Sequence, residues 1–261
     1  MTQAVEINPV DTSPLFSIVT INWNNRSGLA RTARSIEAQS SRDFEWIIID
    51  GGSNDGTVED LPGYTQASFW MSEPDKGIAD AWNKGIRRAK GRHLMLLNSG
   101  DTVDPECLAV LQKYVSDDRI TCCHARLSTE AGDITGVFKA RPESLWRGMH
   151  LPHNWAIVPL HFYDDQELGL YQLLPNSMDY EWFHRYYKRF GKTGFYVVDQ
   201  VLGTYYLGGH SDAAFLKSFR SNKRIQRENG MSSFIATLLC WGYITKHWLV
   251  HRLIPQIKRS H

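Results

Sequence analysis

The chain has 261 residues and a mass of 29.9 kDa, which allows one large domain or two small ones. Hydrophobic residues make up 42% of the chain and charged residues 22%, so a packed core is expected and an intrinsically disordered protein is excluded. The net charge of +1 argues against a nucleic-acid-binding protein. The four cysteines show no CxxC or CxH spacing, so we expect reduced thiols rather than a zinc site or a disulfide framework.

The first half of the chain alternates strands and helices. Short apolar runs predict buried strands, and helical spacing of apolar residues predicts helices between them. Such alternation is typical of a mostly parallel sheet covered by helices. The predicted strands cover residues 16–21, 44–49, 68–72 and 92–97, and the predicted helices cover residues 29–39, 77–89 and 104–115.

The second half is less regular. We predict strands at residues 120–126, 136–139, 195–198 and 201–206, and a helix with an aromatic face at residues 179–190. No linker composition is visible, which favours one α/β domain over residues 14–212. Residues 213–261 form a basic, amphipathic helical C-terminal region.

Polar loops follow three of the predicted strands: NWNN, DGGSNDGT and NSGD. In parallel sheets, ligands bind beyond the carboxyl ends of the strands. Three separate segments therefore converge on one rim, which predicts a binding site there.

Three carboxylates are candidates for chemistry at this rim. Asp50, before a Gly-Gly-Ser turn, can accept from a base N–H or a ribose hydroxyl, or can bond its own loop amides. Asp101 can share a divalent cation with a diphosphate, or can cap the next helix. Asp179 can act as general base towards a hydroxyl nucleophile, or can cap the helix that begins there.

Other motifs are missing from the sequence. It contains no GxGxxG, GxxxxGK[ST], GxSxG or HExxH. The specific evidence for a dinucleotide-binding Rossmann domain, a P-loop protein, an α/β-hydrolase or a zincin is therefore lacking.

Four segments, in this order, resemble family 2 glycosyltransferases with the GT-A fold, of the colanic-acid and exopolysaccharide type. The matching segments are FSIVTINWNN (16–25), FEWIIIDGGSNDGT (44–57), SEPDKGIADAWNKG (72–85) and LLNSGD (96–101). The resemblance implies a Rossmann-like sheet and an inverting transfer of a sugar from a nucleotide diphosphate donor.

The resemblance also implies roles for individual residues. It places the catalytic base at Asp179 and the metal position at Asp101, with a divalent cation, Mg²⁺ or Mn²⁺, as cofactor. The residues implied at the nucleotide sugar are Thr20, Asn22, Asn24, Asp50, Lys76, Asp80 and Asn83.

Two departures from the family pattern matter. Asn98-Ser99-Gly100-Asp101 replaces the usual DSDD, so the cation either rests on Asp101, with help from His210, or is weakly held. Gly51 replaces the second acid of the usual DDGS, so we expect Asp50 and backbone groups to contact the base of the nucleotide. On the acceptor side we expect His153, Asn154 and Trp155, with the indole offering a stacking face for a sugar ring.

The C-terminal region is strongly basic. Residues 217–261 carry nine lysines and arginines against one glutamate, a net charge of +8, whereas the first 216 residues carry −7. Residues 229–245 are uncharged, and Phe234, Leu238, Trp241 and Trp248 share one helical face. This pattern suits a helix in the interface of an anionic membrane, or one packed on the catalytic domain or a second copy.

Together these features predict a glycosyltransferase that elongates a surface polysaccharide from a saccharide or lipid-linked acceptor. We expect it in the cytoplasm, at the inner face of the cell membrane, since residues 1–13 lack the apolar run of a signal peptide. The alternative is a nucleotide-sugar-binding or scaffolding subunit with weakened catalysis. A nucleotidyltransferase is disfavoured because NWNN, not a Gly-rich basic loop, follows the first strand.

Overall fold

A computed structural model describes residues 13–208 and 215–257. Its elements are β1 (Phe16–Asn22), α1 (Arg26–Glu37), β2 (Phe44–Asp50), α2 (Thr57–Asp60), β3 (Phe69–Ser72), α3 (Ile78–Ile86), β4 (His93–Leu96), β5 (Thr102–Val103), α4 (Cys107–Leu111), β6 (Ile120–Ser128), β7 (Ile134–Phe138), β8 (Ala156–Pro159), α5 (Met178–Phe190), β9 (Phe195–Tyr206), α6 (Phe215–Glu228) and α7 (Ser233–Ile257).

Within the described residues, one mixed sheet of nine strands forms the centre of the molecule. Its order is β3-β2-β1-β4-β8-β6-β9-β5, and β7 pairs with β6. Strands β3, β2, β1 and β4 are parallel, whereas β8 runs antiparallel to both β4 and β6. The predicted α/β sheet with flanking helices and C-terminal helices is confirmed.

Both faces of the sheet are covered, which explains why its central strands are apolar throughout. Val19 of β1 packs into a core shared with α3 and α5, whereas Phe16 and Ile18 pack into a core shared with α1 and α4. This alternation follows from the two-residue period of a strand. The carboxyl ends of β1, β2 and β4 are left open at one rim.

Three elements differ from the sequence prediction. The helix expected at residues 104–115 is only Cys107–Leu111, and the short strand β5 precedes it. The two strands expected at residues 195–206 are the single strand β9. Strand β8 was not predicted, because its four residues between two turns carry no periodicity.

The C-terminal helices pack against the rest of the chain. Ile225 and Gln226 of α6 are buried, and the Gln226 side-chain amide donates to the Arg147 carbonyl at 2.8 Å. In α7, the Tyr243 hydroxyl lies 2.7 Å from His150 Nε2. No helix within residues 13–208 and 215–257 has the length and apolar content needed to cross a bilayer.

Candidate active site

A cleft of about 930 Å³ opens at the carboxyl ends of the parallel strands, within the size range of small-molecule sites. Its lining comes from the loops after β1, β2, β3 and β4, as the polar loops of the sequence predict. The opposite wall comes from residues 173–178 and from the end of β9. Lining residues include Asn22, Trp23, Asn25, Gly51, Lys76, Asn98, Asp101, Glu130, Leu174, Met178 and Tyr206.

One wall of the cleft is formed by the ends of β1, β2 and β3, where the sequence predicts the nucleotide sugar, and we call it the donor-side wall. This wall is organised around the Asp50 carboxylate. Asn22, Asp50 and Ser72 occupy matching register positions at the ends of β1, β2 and β3. The carboxylate accepts from Asn22 Nδ2 at 2.9 Å, from the Ser53 and Ser72 hydroxyls at 2.6 Å each, and from the Gly52 and Ser53 amides. Asp50 is fully buried beneath the loop, so a nucleotide contact requires one of these bonds to be exchanged.

The charge state of Asp50 follows from this environment. Burial by itself would raise the pKa of the carboxyl group. The hydrogen bonds from Ser53, Ser72 and Asn22 outweigh burial and hold the pKa below its usual value. Asp50 is therefore a charged hub for the loops around it at neutral pH.

The loop after β1 presents an exposed aromatic ring to the cleft. Trp23 is 67% exposed and lines the cavity, and its neighbour Asn24 has a left-handed backbone with φ of 48°. The Asn24 backbone N–H donates a hydrogen bond to the Ser53 hydroxyl, and the Asn54 backbone N–H donates one to the Asn24 side-chain oxygen. Trp23 was not predicted at the site from the sequence. The signal that could have found it is a tryptophan in a polar loop at the end of a strand.

The segment before α3 contributes a cation to the cleft. Lys76 is exposed at the cavity, and its backbone amide donates to the Asp80 carboxylate at 3.0 Å. Asp80 also lies 3.6 Å from the Lys84 ammonium. Asp80 therefore holds the loop that presents Lys76.

Three residues expected at the ligand serve the core instead. The Thr20 hydroxyl faces the α1 side of the sheet and accepts from Trp46 Nε1 at 2.9 Å. Asn83 is buried, and its side chain bonds the backbone N–H and C=O of Tyr171. Trp155 is fully buried, so its indole offers no stacking face, and that expectation is wrong.

The Asp101 carboxylate lies at the bottom of the cleft. Asp101 is 6% exposed, and it accepts from the Tyr206 amide at 3.1 Å and from the Asn154 side-chain amide. Burial raises the pKa of Asp101 to about 7 in spite of these bonds. Asn154 thus contacts a carboxylate of the cleft, which places one predicted acceptor-side residue against the predicted metal position.

His153, the neighbour of Asn154, connects this region to the predicted base. Its ring packs against Trp82 with centroids 4.5 Å apart and meets Phe183 edge-on. Burial lowers the pKa of His153, while the nearby Asp179 charge opposes that shift. His153 Nε2 is buried and has no hydrogen-bond partner among the described residues.

Asp179 lies in the first turn of α5, directly after Met178, which lines the cleft. Its side chain is half-buried. The helix begins after Ser177, a non-glycine residue in the left-handed region with φ of 59°. Such strain persists only where surrounding contacts enforce it, and it often marks a functional site. Asn154 donates to Asp101, and the adjacent residue His153 lies close enough to Asp179 for that charge to act on its pKa.

A divalent cation fits this donor set only in part. The described residues contain no group of three His, Cys, Asp or Glu side chains that could hold a metal. Mg²⁺ in proteins is often held by one or two carboxylates together with substrate phosphates. The described hydrogen-bond partners of the buried Asp101 carboxylate are the Asn154 side chain and the Tyr206 amide, and neither is a cation that would compensate its charge. Asp101 with a diphosphate would make such a site, and His210 lies outside the described residues.

Comparisons with known proteins agree with this architecture. A family model described as glycosyl transferase family 2 matches residues 17–166. An uncharacterized glycosyltransferase of Mycobacterium tuberculosis is 45% identical over 91 residues, covering 34% of this chain and 35% of the relative. A glycosyltransferase assigned to teichuronic acid biosynthesis in Bacillus subtilis is 31% identical over 138 residues, covering 51% and 55%. The chain thus spans about a third to about half the length of these relatives.

Solved structures show the same fold at low sequence identity. S. aureus TarS 1–349 in complex with UDP-GlcNAc has a TM-score of 0.65 at 14% identity, covering 89% of this chain and 72% of that one. The mannosyltransferase PcManGT of Pyrobaculum calidifontis, with GDP-Man and Mn²⁺, has a TM-score of 0.61 at 13% identity, covering 91% and 71%. Because the family model covers more than half of this chain, the chain belongs to the family 2 glycosyltransferases.

Proposed function

We propose that the protein transfers a sugar from a nucleotide diphosphate to a hydroxyl of a saccharide acceptor, with inversion at the anomeric carbon. The observation that carries this proposal is that one cleft is lined both by Asp101 and by Met178, the residue next to Asp179 in the first turn of α5. The cleft lies at the strand ends, with the buried Asp101 carboxylate in its lining and the Asp179 carboxylate beside it in the first turn of α5. This arrangement suits a charged donor and a neutral nucleophile.

The nucleotide is proposed to bind along the loops after β1, β2 and β3. Asn22 lines the cleft, Asn24 and Asp80 hold the flanking loops, and Lys76 supplies a positive charge for the diphosphate. Trp23 offers an exposed ring for stacking on a base. The structures of TarS with UDP-GlcNAc and PcManGT with GDP-Man support a nucleotide-sugar donor.

Asp179 is proposed as the general base. It takes the proton of the acceptor hydroxyl as that oxygen forms a bond to the anomeric carbon. The bond between the anomeric carbon and the diphosphate oxygen breaks, and the electron pair leaves with the diphosphate. Attack opposite the leaving group inverts the anomeric configuration.

The leaving diphosphate gains negative charge in this step. Lys76 at the cleft can stabilise that charge directly. A divalent cation, held by Asp101 and the donor phosphates with His210 as a further candidate ligand, would supply the same stabilisation when bound. The proposed mechanism includes this divalent cation.

The acceptor is proposed to be a growing surface polysaccharide of the exopolysaccharide type, carried on a lipid. The teichuronic acid assignment of the Bacillus subtilis relative supports this class of product. His153 and Asn154 are proposed to contribute to the acceptor side, beside the Asp101 carboxylate that Asn154 contacts.

The C-terminal helices are proposed to hold the enzyme at the inner face of an anionic membrane. One side of α7 exposes Phe234, Leu238 and Trp241, with exposed fractions of 73%, 56% and 63%. The preceding helix α6 carries five lysines and arginines against one glutamate. The proposed catalytic domain is residues 14–212, and the proposed membrane-facing region is residues 213–261.

The proposal is tested by donor turnover. The purified protein is incubated with UDP-, GDP- and dTDP-sugars, with Mn²⁺ or Mg²⁺ and with EDTA, and release of the nucleotide diphosphate is measured. We expect hydrolysis of at least one donor, faster with the cation than with EDTA. Binding of a donor without any turnover, in the presence of a saccharide acceptor, would favour the alternative of a binding or scaffolding subunit.

A further inference from the structure

A second cavity, of about 450 Å³, lies between α5 and α6 on the acceptor side of the cleft. We call it the α5–α6 pocket. It shares Leu174 with the cleft, so the segment before α5 separates the two spaces. The pocket is lined by Gln172, Leu174, Glu181, Arg185, Arg224, Glu228 and Asn229.

The lining of the pocket is polar and balanced in charge. Two arginines face two glutamates, and a glutamine and an asparagine complete the set. The Arg185 guanidinium is already bonded to Glu181 and to backbone carbonyls before α5, whereas the other planar groups can hydrogen-bond neighbouring hydroxyls of a sugar ring. A lining without excess positive charge favours a neutral polyhydroxyl ligand over a phosphate.

Part of this lining is held in place before any ligand binds. Glu181 is 6% exposed and pairs with Arg185, with Nε–Oε1 and Nη2–Oε2 distances of 2.7 and 3.0 Å. Arg224, by contrast, is half-exposed and lies 3.7 Å from Glu228. The pocket therefore combines a fixed floor with two adjustable side chains at its mouth.

The wall formed by α6 is anchored to α5. The Gln226 side-chain amide reaches both the Arg147 carbonyl and the Tyr180 hydroxyl. The Ser177 hydroxyl, at the start of α5, donates to the Ser218 carbonyl at 3.2 Å. The two helices therefore present the pocket as one unit.

Helix α5 links the pocket to the proposed chemistry. Met178, Glu181 and Arg185 are spaced i, i+3, i+7 and lie on one face of the helix. Met178 lines the cleft, and the other two line the pocket. A chain of sugar units that leaves the hydroxyl beside Asp179 can follow this face into the pocket.

We propose that the α5–α6 pocket binds a neutral sugar unit of the acceptor, next to the unit that receives the new sugar. The inference rests on the proposed function, because it assigns the acceptor of that same reaction to a location. It also gives the C-terminal region a share of the acceptor site, since Arg224, Glu228 and Asn229 lie outside the residues that the family model matches.

The test compares three variants with the wild-type enzyme. Arg224→Ala and Gln172→Ala each remove one polar group from the pocket, and Arg227→Ala is the matched control on the same helix, exposed and outside the pocket. The acceptor probes are p-nitrophenyl maltoside, cellobioside, lactoside and chitobioside, in which the second sugar unit can occupy the pocket, with p-nitrophenyl glucoside as the one-unit reference. The measurements are acceptor KM, kcat, donor KM and donor hydrolysis in water.

We expect the acceptor KM to rise roughly tenfold in Arg224→Ala and several-fold in Gln172→Ala, because hydrogen bonds that involve a charged group contribute more. Donor KM and donor hydrolysis should stay at the wild-type level, and Arg227→Ala should match the wild type throughout. That separation of acceptor from donor effects supports the pocket.

Three results would overturn the assignment while leaving the proposed function in place. The first is an acceptor KM for Arg224→Ala equal to that for Arg227→Ala. The second is a wild-type acceptor KM for the disaccharide glycosides no lower than that for p-nitrophenyl glucoside. The third is inhibition by glucose 1-phosphate that disappears in Arg224→Ala while neutral glycosides are unaffected, since it would indicate an anionic ligand. A wild-type enzyme that neither hydrolyses nor transfers from any donor removes the proposed function itself.

Discussion

The two walls of the cleft are built on different physical principles. The donor-side wall is a hydrogen-bond network centred on the buried Asp50 carboxylate, and its members come from the ends of three adjacent parallel strands. The opposite wall includes Leu173, Leu174 and Pro175 before α5, Met178 in its first turn, and the end of β9. Leu173 is 55% exposed there, and Ser177 holds a strained backbone.

This difference matches two binding tasks. A network with a fixed charge and a fixed register can hold one invariant chemical group, such as a nucleotide diphosphate, in a single position. An apolar wall with a neighbouring polar pocket can follow the shape of an acceptor. The comparison therefore predicts that variants of the two walls separate donor effects from acceptor and turnover effects.

The largest effect is expected at Asp179, which follows Met178 of the opposite wall in the first turn of α5. Asp179→Asn keeps the shape of the side chain but removes the proton acceptor, so turnover should fall by roughly 10²–10⁴-fold with donor affinity little changed. Single-turnover transfer and nucleotide titration measure the two quantities. Asp164→Asn, at an exposed position, is the control and should behave as wild type. Turnover of Asp179→Asn close to that of the control would remove Asp179 from the role of base.

The next effect is expected at Asp50, on the donor-side wall. Asp50→Asn replaces one acceptor oxygen with a donor group among five donors, which should lower the free energy of unfolding by about 1–3 kcal/mol. Donor affinity should fall with it, because the loops lose their hub. Ser72→Ala removes a single bond and should cost less, about 1 kcal/mol. Urea unfolding at pH 7 gives both values, and equal losses in the two variants would contradict a hub at Asp50.

The same carboxylate gives a signature in pH. The pKa of Asp50 is lower in the folded protein than in the unfolded chain, so its contribution is complete above the unfolded value of about 3.9. The contribution is lost as the pH falls through the folded-state pKa. The stability difference between wild type and Asp50→Asn should therefore be constant from about pH 5 to 8 and should shrink below about pH 4. A difference that stays unchanged down to pH 3 would show that Asp50 is not held in its charged form.

Sequence patterns predicted the donor side of the molecule better than the acceptor side, for physical reasons. Each parallel strand of the first half ends in its own polar loop, so the convergence of Asn22, Asp50 and Asp101 follows from local patterns. The acceptor side depends on how distant segments meet. Strand β8 is defined by its pairing with β4 and β6, and the contact between Asn154 and Asp101 joins residues 53 apart in sequence.

Side-chain direction was the other limit of the sequence. Thr20 and Asn22 differ by two positions and lie on the same face of β1, but only Asn22 reaches beyond the end of the strand into the cleft. Trp155 was expected at a sugar because it is aromatic, yet it is packed in the core. Trp23, which a polar loop holds in solvent, lines the cleft together with Tyr205 and Tyr206.

Trp23 gives a smaller effect, confined to the donor. Trp23→Ala removes a stacking surface, so the donor KM should rise about tenfold with little change in kcat, the size expected for one base–aromatic contact. Trp70→Ala, at a 41% exposed tryptophan in β3 that does not line the cleft, is the control. If the Trp23 variant lowered kcat and left the donor KM unchanged, the ring would belong to the reaction rather than to nucleotide binding.

The smallest effect is expected far from both walls, on α7. Leu238→Ser combined with Trp241→Ser removes two exposed apolar side chains from the proposed membrane-facing helix. Binding to vesicles that contain anionic phosphatidylglycerol should weaken several-fold, while donor hydrolysis in solution should not change, because neither residue lines the cleft. Trp146→Ser, at another exposed tryptophan, is the matched control, and co-sedimentation with the vesicles measures all three proteins. Equal sedimentation of the double variant and the control would assign the apolar side of α7 to a protein contact, and the membrane would no longer explain why this helix exposes tryptophan and leucine.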